Sequence, residues 1–384
     1  MRILLDYRPA LRERTGVGEY VHEMAAAIGR RLDPSDELVL FSSSWKDRLA
    51  ATTPPGRRVD VRVPVRLLNR LWHRLEAPAI ERFTGPVDVV HAAHPLLIPT
   101  RGAARLVTVH DLDFLDHPER TAREIRRDYA ALAAAHAQRA DAVVAVSMFT
   151  AGEVERRLDV PRNRIVVASP GAPAWEPRPA PVPRGPILFM GTLEPRKNVG
   201  ALLHAYARLL EQKADAPELW LAGGATAAAA PWLRAIAEPP LAGRVRHLGY
   251  IASERRHDLY GQASMLVLPS HLEGFGIPVL EAMAAGVPTI VSNRGALPEV
   301  AGGAAQVVEP DDIDGMAAAM RRYLDDEAAA ATAVRDGLAR ARQYSWDASA
   351  ATLVEAYAEL AARHGHRGRA PAHDSGAPAA AGRR

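Results

Sequence analysis

Short apolar runs that alternate with stretches of helical periodicity limit this chain to one class of fold. RILLD, ELVLF, VDVVHA, ARLVTVHD and ADAVVAVS each read as a buried strand. Between the first two, Val21, Met24, Ala25 and Ile28 fall on one helical face. Strands alternating with helices in this way form a parallel α/β domain. The proline-rich run 171–186 can continue neither element and reads as a semi-rigid linker. Beyond it the alternation resumes with ILFMG, ELWLAGG, VRHLGYI, the run 265–268 and VPTIVS. With 384 residues there is enough chain for two domains, each with its own core. The expected division is 1–170, the linker 171–186, and 187–345. An amphipathic helix over 346–364 follows, then a tail over 365–384 whose Gly, Ala, Pro and Arg content predicts disorder.

Composition narrows the surroundings. There are no cysteines, which excludes disulfides and thiolate metal sites. No run approaches the roughly 18 apolar residues of a membrane-spanning helix. The N-terminus enters a strand directly, without a signal-peptide core, so a cytoplasmic protein is expected. A net charge of +3 without a concentrated basic stripe does not indicate nucleic-acid binding. Residues 62–83 set Leu67, Leu71, Trp72 and Leu75 against Arg66, Arg70, His73 and Arg74, with Pro78 as a break. Such a segment either packs its stripe on a core or lies on the inner face of a membrane as a peripheral contact.

The stretch HLEGFGIPVLEAMAAGVP, 271–288, carries two glutamates on a strand–loop–helix–strand unit. Pro278 suits the first helical turn and Gly286 its end, so Glu273 is expected on the loop and Glu281 in the first turn. Each carboxylate can hold both hydroxyls of a vicinal diol, and a helix N-terminus favours phosphate between them. A nucleotide sugar has that chemistry. The alternative is a macrodipole partner and a solvated loop glutamate.

Other candidates lie on strand-to-helix loops. Thr15-Gly16-Val17-Gly18 opens a helix, and Gly16 and Gly18 either let backbone N–H groups approach a phosphate or serve a turn with positive φ. A dinucleotide fingerprint fits poorly, because Val21 stands where its third glycine belongs, and this disfavours an oxidoreductase. Arg196 and Lys197 follow ILFMG where cations and a helix N-terminus favour a diphosphate; a solvated basic turn is the alternative. His91, His94, His110 and Asp111 sit at strand C-terminal ends, where ligands of doubly wound sheets gather. His110 is either a hydroxyl ligand or a satisfied structural histidine. Asp111-Leu112-Asp113 looks like a metal-binding D-x-D, a pattern that solvated turns share.

Taken in chain order, TGVG, VTVHD, AVSMFT, GTLEPRKN and EGFGIPVLE resemble the family 4 retaining glycosyltransferases, the "glycosyl transferases group 1", over nearly the whole chain. The resemblance implies a GT-B fold: two Rossmann-like, doubly wound parallel-sheet domains facing across a cleft, with the last helix crossing back to the first domain. It implies that Glu273 addresses the donor sugar and Glu281 the nucleotide ribose, with Phe275, Gly276 and Ile277 between them in the donor site. Gly16 and Gly18 would face the donor phosphates, and His110 the donor sugar. Lys197, with Arg196, would hold the diphosphate, although Thr192 stands where many members carry arginine. Tyr250 and Ile251 would border the nucleobase, unless Tyr250 is a half-buried core ring. No metal or other cofactor is implied. The activity implied is transfer of a sugar from a nucleotide-diphosphate sugar, of a GDP-mannose-like kind, to a hydroxyl acceptor: a glycolipid, an oligosaccharide or a small molecule. Bacterial surface polysaccharide or glycolipid assembly is the implied setting. A nucleotide-sugar epimerase of GT-B fold and a non-catalytic nucleotide-sugar-binding subunit are the alternatives.

Overall fold

The computed structural model describes residues 1–11, 14–50, 52–120 and 123–367. Two parallel sheets make up its framework. The first holds β1 (Arg2–Asp6), β2 (Glu37–Ser43), β3 (Arg57–Val61), β4 (Val89–Ala92), β5 (Ala104–Val109), β6 (Ala142–Ala145) and β7 (Ile165–Val167). The second holds β8 (Ile187–Met190), β9 (Leu219–Ala222), β10 (Val245–Gly249), β11 (Met265–Leu268), β12 (Thr289–Ser292) and β13 (Gln306–Val308). The first runs in the order β3-β2-β1-β4-β5-β6-β7 and the second in the order β10-β9-β8-β11-β12-β13. Both reverse direction of growth beside their first strand, the doubly wound arrangement in which ligands collect outside the strand C-termini at the reversal. The GT-B fold expected from the sequence is therefore the fold observed.

The inner strands are apolar because helices cover both faces. Ile3, Leu4 and Leu5, and likewise Met265 to Leu268, are essentially without exposed surface. No helix or strand lies between Val167 and Ile187. β3, RRVDV, was not expected from the sequence; it is an arginine-bearing edge strand in which Arg57 and Arg58 are exposed and Val59, Asp60 and Val61 are half-buried.

The helix Val65–Leu75 divides the stripe read from its sequence. Leu68 and Trp72 enter the core, and the Trp72 indole N–H donates to the Pro78 carbonyl at 3.0 Å. Leu67 and Leu75, expected on the same face as Trp72, point outward instead, at 50% and 68% exposure. At about 100° per residue, Leu67 is turned by about 100° or more from Leu68 and Trp72, whereas Leu75 is the last residue of the helix, before Glu76 turns left-handed. Among the described residues no helix is long and apolar enough to cross a membrane.

The last helix, Trp346–Arg367, takes in the start of the expected tail; 368–384 lie outside the described residues. It packs on the first-domain helix Gly16–Arg31 and on β4, β5 and β7, burying Ala350, Leu353, Tyr357 and Leu360. The Tyr357 hydroxyl lies 2.6 Å from His91 Nδ1, and His91 Nε2 lies 2.7 Å from Thr108 Oγ1. Burial pushes His91 down from 6.5 to about 3, so it is a neutral structural residue away from the site. Its folded pKa lies below its unfolded one, so it costs stability as pH falls from about 6.5 towards 3. Tyr357→Phe, which removes one partner of this buried pair, is expected to lower stability by about 1–2 kcal/mol in urea unfolding at pH 7.5. An unchanged midpoint would show that the hydroxyl does not anchor the helix.

Candidate active site

β8 and β11 are neighbours at the reversal of the second sheet, which brings together loops whose residues Lys197 and Glu273 are 76 apart in sequence. After β8 the chain makes a short 3-10 turn, Pro195–Lys197, and Asn198 takes a left-handed conformation (φ 56°) before the helix Val199–Gln212. That turn points Lys197 inward, where it is 9% exposed. After β11 comes Glu273, 6% exposed. Lys197 Nζ donates to Glu273 Oε1 at 2.5 Å, and Ser270 Oγ donates to the same oxygen at 2.7 Å. Arg196 Nη1 donates to Glu273 Oε2 at 3.1 Å and to the Leu272 carbonyl at 2.8 Å, while Nη2 donates to Glu194 at 2.9 Å. Burial alone would raise the Glu273 carboxyl, but Lys197 and Arg196 outweigh it and hold the carboxyl at about 2. Arg196 and Lys197, both read from the sequence as diphosphate ligands, thus both bind Glu273 directly.

Glu281 lies one turn later than expected. The helix begins at Ile277 with Pro278 in its first turn, and Gly286 (φ 74°) follows its end, so Glu281 is the fifth helical residue. It is therefore beyond the unpaired N–H groups of the helix start. Its partners come from the helix Ser253–Gln262, which the sequence reading missed. Arg256 Nη1 donates to Oε1 at 3.0 Å and the Tyr260 hydroxyl to Oε2 at 2.8 Å. SERRHDLYGQ is too polar to show a clear apolar face, although the spacing of Arg256, Leu259 and Tyr260, all buried, is helical.

From the first domain, His110 ends β5 and is half-buried. Its Nε2 lies 3.2 Å from the Ala93 carbonyl, which can only accept, so the proton is on Nε2 and Nδ1 is an acceptor. Burial pushes His110 down to about 4, leaving the ring neutral at pH 7. The His110 carbonyl touches the backbone of Gly274: a Cβ at Gly274 would lie 1.6 Å from that oxygen. The Ser147 and Thr150 hydroxyls both donate to the Gly274 carbonyl, at 2.7 and 3.0 Å. Nearby, the Met148 and Phe149 N–H groups donate to the Glu299 carboxylate at 2.9 and 2.8 Å. The two domains thus meet beside Glu273.

A cavity of about 360 Å³ lies between the domains, lined by Gly16, His110, Arg196, Lys197, Tyr250, Ile251, Glu273, Phe275, Gly276, Ile277 and Glu281 among others. Gly18 is not part of it; it packs against the Pro9 carbonyl, where a Cβ would come within 2.8 Å. Tyr250 is no core ring, since its hydroxyl reaches the Arg14 carbonyl across the cleft at 3.4 Å. A second cavity of about 790 Å³ opens on the first-domain side, with His94, Asp113, Phe114 and Tyr129 in its wall. The two share Val17, His110, Asp111, Glu194 and Arg196. His94, however, is engaged with Arg8 Nη2 at 3.0 Å and Asp6 at 3.3 Å, which ties its Nε2 into a charged cluster at the cavity wall. The Asp113 N–H donates to Asp111 Oδ1 at 3.2 Å, the local bond of a turn.

Two doubly wound domains with paired glutamates, two buried cations and a cleft histidine define a glycosyltransferase of the GT-B class. Residues 14–174 match the family Glycosyltransferase Family 4, and 184–326 match Glycosyl transferases group 1. The chain is 30% identical to O-antigen chain mannosyltransferase B of Escherichia coli, over 93% of this chain and 99% of that one. It is also 30% identical to glycogen synthase of Mycobacterium tuberculosis, over 96% of each. The fold is shared with sucrose-phosphate synthase of Thermosynechococcus elongatus (TM-score 0.76, 21% identity, 94% of this chain and 99% of that one). It is shared as well with WaaG, a glycosyltransferase involved in lipopolysaccharide biosynthesis (TM-score 0.69, 16% identity, 94% and 99%). The chain belongs to the family 4 glycosyltransferases.

Lys197 and Arg196 share one carboxylate, so Glu273→Gln leaves two buried cations without it. The variant is expected to lose about 3 kcal/mol of stability at pH 7, since breaking a buried pair strands a charge. Inorganic pyrophosphate should raise its melting temperature more than that of the wild type. Equal shifts in thermal denaturation would show that the cations are not open to a diphosphate.

Proposed function

We propose that the protein is a retaining glycosyltransferase that moves a sugar from a nucleotide-diphosphate donor to a hydroxyl of an acceptor seated on the first domain. The observation that carries this reading is the junction of the two cavities at His110 and Arg196. In the smaller cavity, Glu281 takes the ribose diol and Tyr250 and Ile251 flank the base. Lys197 and Arg196 receive the diphosphate: the bonds to Glu273, Glu194 and the Leu272 carbonyl do not occupy all of three ammonium and five guanidinium donors. Glu273 faces the sugar, and His110 Nδ1 accepts from a sugar hydroxyl. The larger cavity takes the acceptor.

Glu273 carries two cations and a serine hydroxyl, which suits a fixed charge and not an attacking nucleophile. The acceptor oxygen therefore bonds to the anomeric carbon from the face the diphosphate leaves, and a donor phosphate oxygen takes the acceptor proton. Lys197 and Arg196 stabilise the charge that grows on the departing diphosphate. No step uses a metal. The names of the mannosyltransferase B and WaaG relatives favour surface polysaccharide or glycolipid assembly and a mannose-like donor, of which GDP-mannose is the first to test.

The outer face of the helix Val65–Leu75 meets an anionic bilayer. Leu67 and Leu75 are exposed, with Leu71 half-buried between them, and Arg70 and Arg74 are exposed alongside. The inner face of this helix adjoins the acceptor side: Arg8 Nη1 donates to Asn69 at 2.7 Å, and His73 Nδ1 lies 3.0 Å from Asp128, next in sequence to Tyr129 of the larger cavity. Docking there sets that cavity close to a lipid-linked acceptor.

A thermal-shift panel of GDP-, UDP-, ADP- and dTDP-sugars identifies the donor, because a ligand stabilises by RT ln(1 + [L]/Kd). With that donor, Glu273→Gln is expected to lower kcat at least tenfold with a modest change in nucleotide affinity, and Glu281→Gln to do the reverse. A product of inverted anomeric configuration by NMR, or a glycosyl–enzyme ester by mass spectrometry, would overturn the mechanism. For the membrane contact, co-sedimentation with vesicles of phosphatidylcholine containing phosphatidylglycerol should exceed that with phosphatidylcholine alone. Leu67→Asp with Leu75→Asp should abolish the excess; equal sedimentation of both proteins would refute the contact.

A further inference from the structure

A group of contacts that the transfer chemistry does not use crosses the cleft beside Glu281. Arg256, on the second domain, is 8% exposed. Its Nη1, which donates to Glu281, also stands 3.8 Å from Glu19 Oε2 on the first-domain helix Gly16–Arg31. Its Nη2 donates to the Arg14 carbonyl at 2.8 Å, the same oxygen that Tyr250 approaches. Arg14 answers in the opposite direction: its Nη2 donates to Ser253 Oγ at 3.1 Å, and its Nε lies 3.9 Å from Glu19. Glu19 Oε2 is buried and, among the described residues, has no hydrogen-bond partner. Glu19 lines neither large cavity.

A guanidinium presents its donors in a rigid plane, so one arginine serves several acceptors only when all are held in the geometry of its fork. Of the three oxygens around Arg256, Glu281 belongs to its own domain; the Arg14 carbonyl, which accepts a hydrogen bond, and Glu19, an ion-pair partner at 3.8 Å, belong to the other. Opening the cleft removes both, leaving Arg256 with Glu281 alone and Glu19 with Arg14 alone. Conversely, a ligand that fixes the Glu281 rotamer fixes Arg256 and favours the closed pairing. Two sites whose states bias one another in this way share a reciprocal coupling free energy.

We propose that Arg256 is a positioning residue that couples Glu281 to closure of the cleft. It aims the Glu281 carboxylate at the donor ribose and, through Glu19 and the Arg14 carbonyl, ties that anchor to the first domain. The coupling rests on the assignment of Glu281 to the donor nucleotide. Closure itself rests only on the contacts above.

The chain has no cysteine, so a pair introduced at the exposed positions Thr52→Cys and Asp258→Cys can be labelled with nitroxides alone. Electron–electron distance measurements without nucleotide are expected to give a narrow, short distribution. Glu19→Gln and Arg256→Met should each shift it to longer distances. Glu19→Gln keeps the test valid if Arg256→Met does not fold. Calorimetry with UDP and GDP then compares Glu19→Gln, Glu281→Gln and the double variant, using whichever nucleotide binds the parent protein. Glu19→Gln is expected to weaken binding about fivefold, and the double variant to lose clearly less than the product of the single losses. Unchanged distances, or multiplicative losses, overturn the proposal while leaving the ribose assignment intact. Longer distances with no effect of Glu281→Gln on binding, or no binding of either nucleotide, overturn the ribose assignment and reduce Arg256 to a plain latch.

Discussion

The buried carboxylate of Glu273, held by two cations, is the constraint around which the second domain is arranged. Taking an ion pair out of water is costly and is offset only by close geometry and further hydrogen bonds. Here the geometry depends on the fold at every step. β8 must lie beside β11 to bring the two loops together. Asn198 must adopt its left-handed conformation for the turn to direct Lys197 inward, and its side chain is fixed by the Pro310 carbonyl at 2.7 Å. Ser270 and the Leu272 carbonyl complete the shell. The result is a fixed carboxylate with cationic donors to spare, which suits the proposed role of receiving phosphate oxygens without rearranging.

The same strand order repeated in both domains explains why the site faces another site. Each sheet reverses next to its first strand, and each opens its crevice at the strand C-termini. Turned towards one another, the two crevices place His110 at the end of β5 against Gly274 of the Glu273 loop. Glycine is required there by space: the His110 carbonyl occupies the position a side chain would fill. The Glu273 loop is therefore shaped from both domains, by β11 on one side and by Ser147 and Thr150 on the other.

What could be read in the sequence follows from what local physics encodes. Strands buried on both faces are apolar throughout, so RILLD, LVTV and MLVL identify themselves and their alternation with helices gives the fold. Loops with special backbone needs also declare themselves, as in EPRKN and EGFGIP. β3 was not legible because an edge strand exposes half its side chains and RRVDV looks like any charged segment. The helix carrying Arg256 and Tyr260 was not legible because its buried face mixes an arginine and a tyrosine with the single aliphatic Leu259, which leaves little apolar periodicity. Glu281 itself was placed in the first turn because proline marks a helix start only to within a residue or two. The outward turn of Leu67 and Leu75 escaped because an apolar stripe does not say which of its residues meets the core. Contacts across the cleft, such as those of Gly274 and Glu299, depend on a packing of domains that no local pattern records.

Those contacts also suggest how a closed cleft avoids being a locked one. The helix Met148–Leu158 has unpaired N–H groups at its start, as every helix does. Its Ser147 caps one of them internally, and the Glu299 carboxylate of the other domain takes those of Met148 and Phe149. When the domains part, water can replace a carboxylate at an exposed helix end at little net cost, because polar groups exchange one set of hydrogen bonds for another. An apolar seam of the same extent would resist opening in proportion to its area. A seam of backbone groups, hydroxyls and carboxylates can hold Glu273 and His110 in register while closed, and still part to release a charged product.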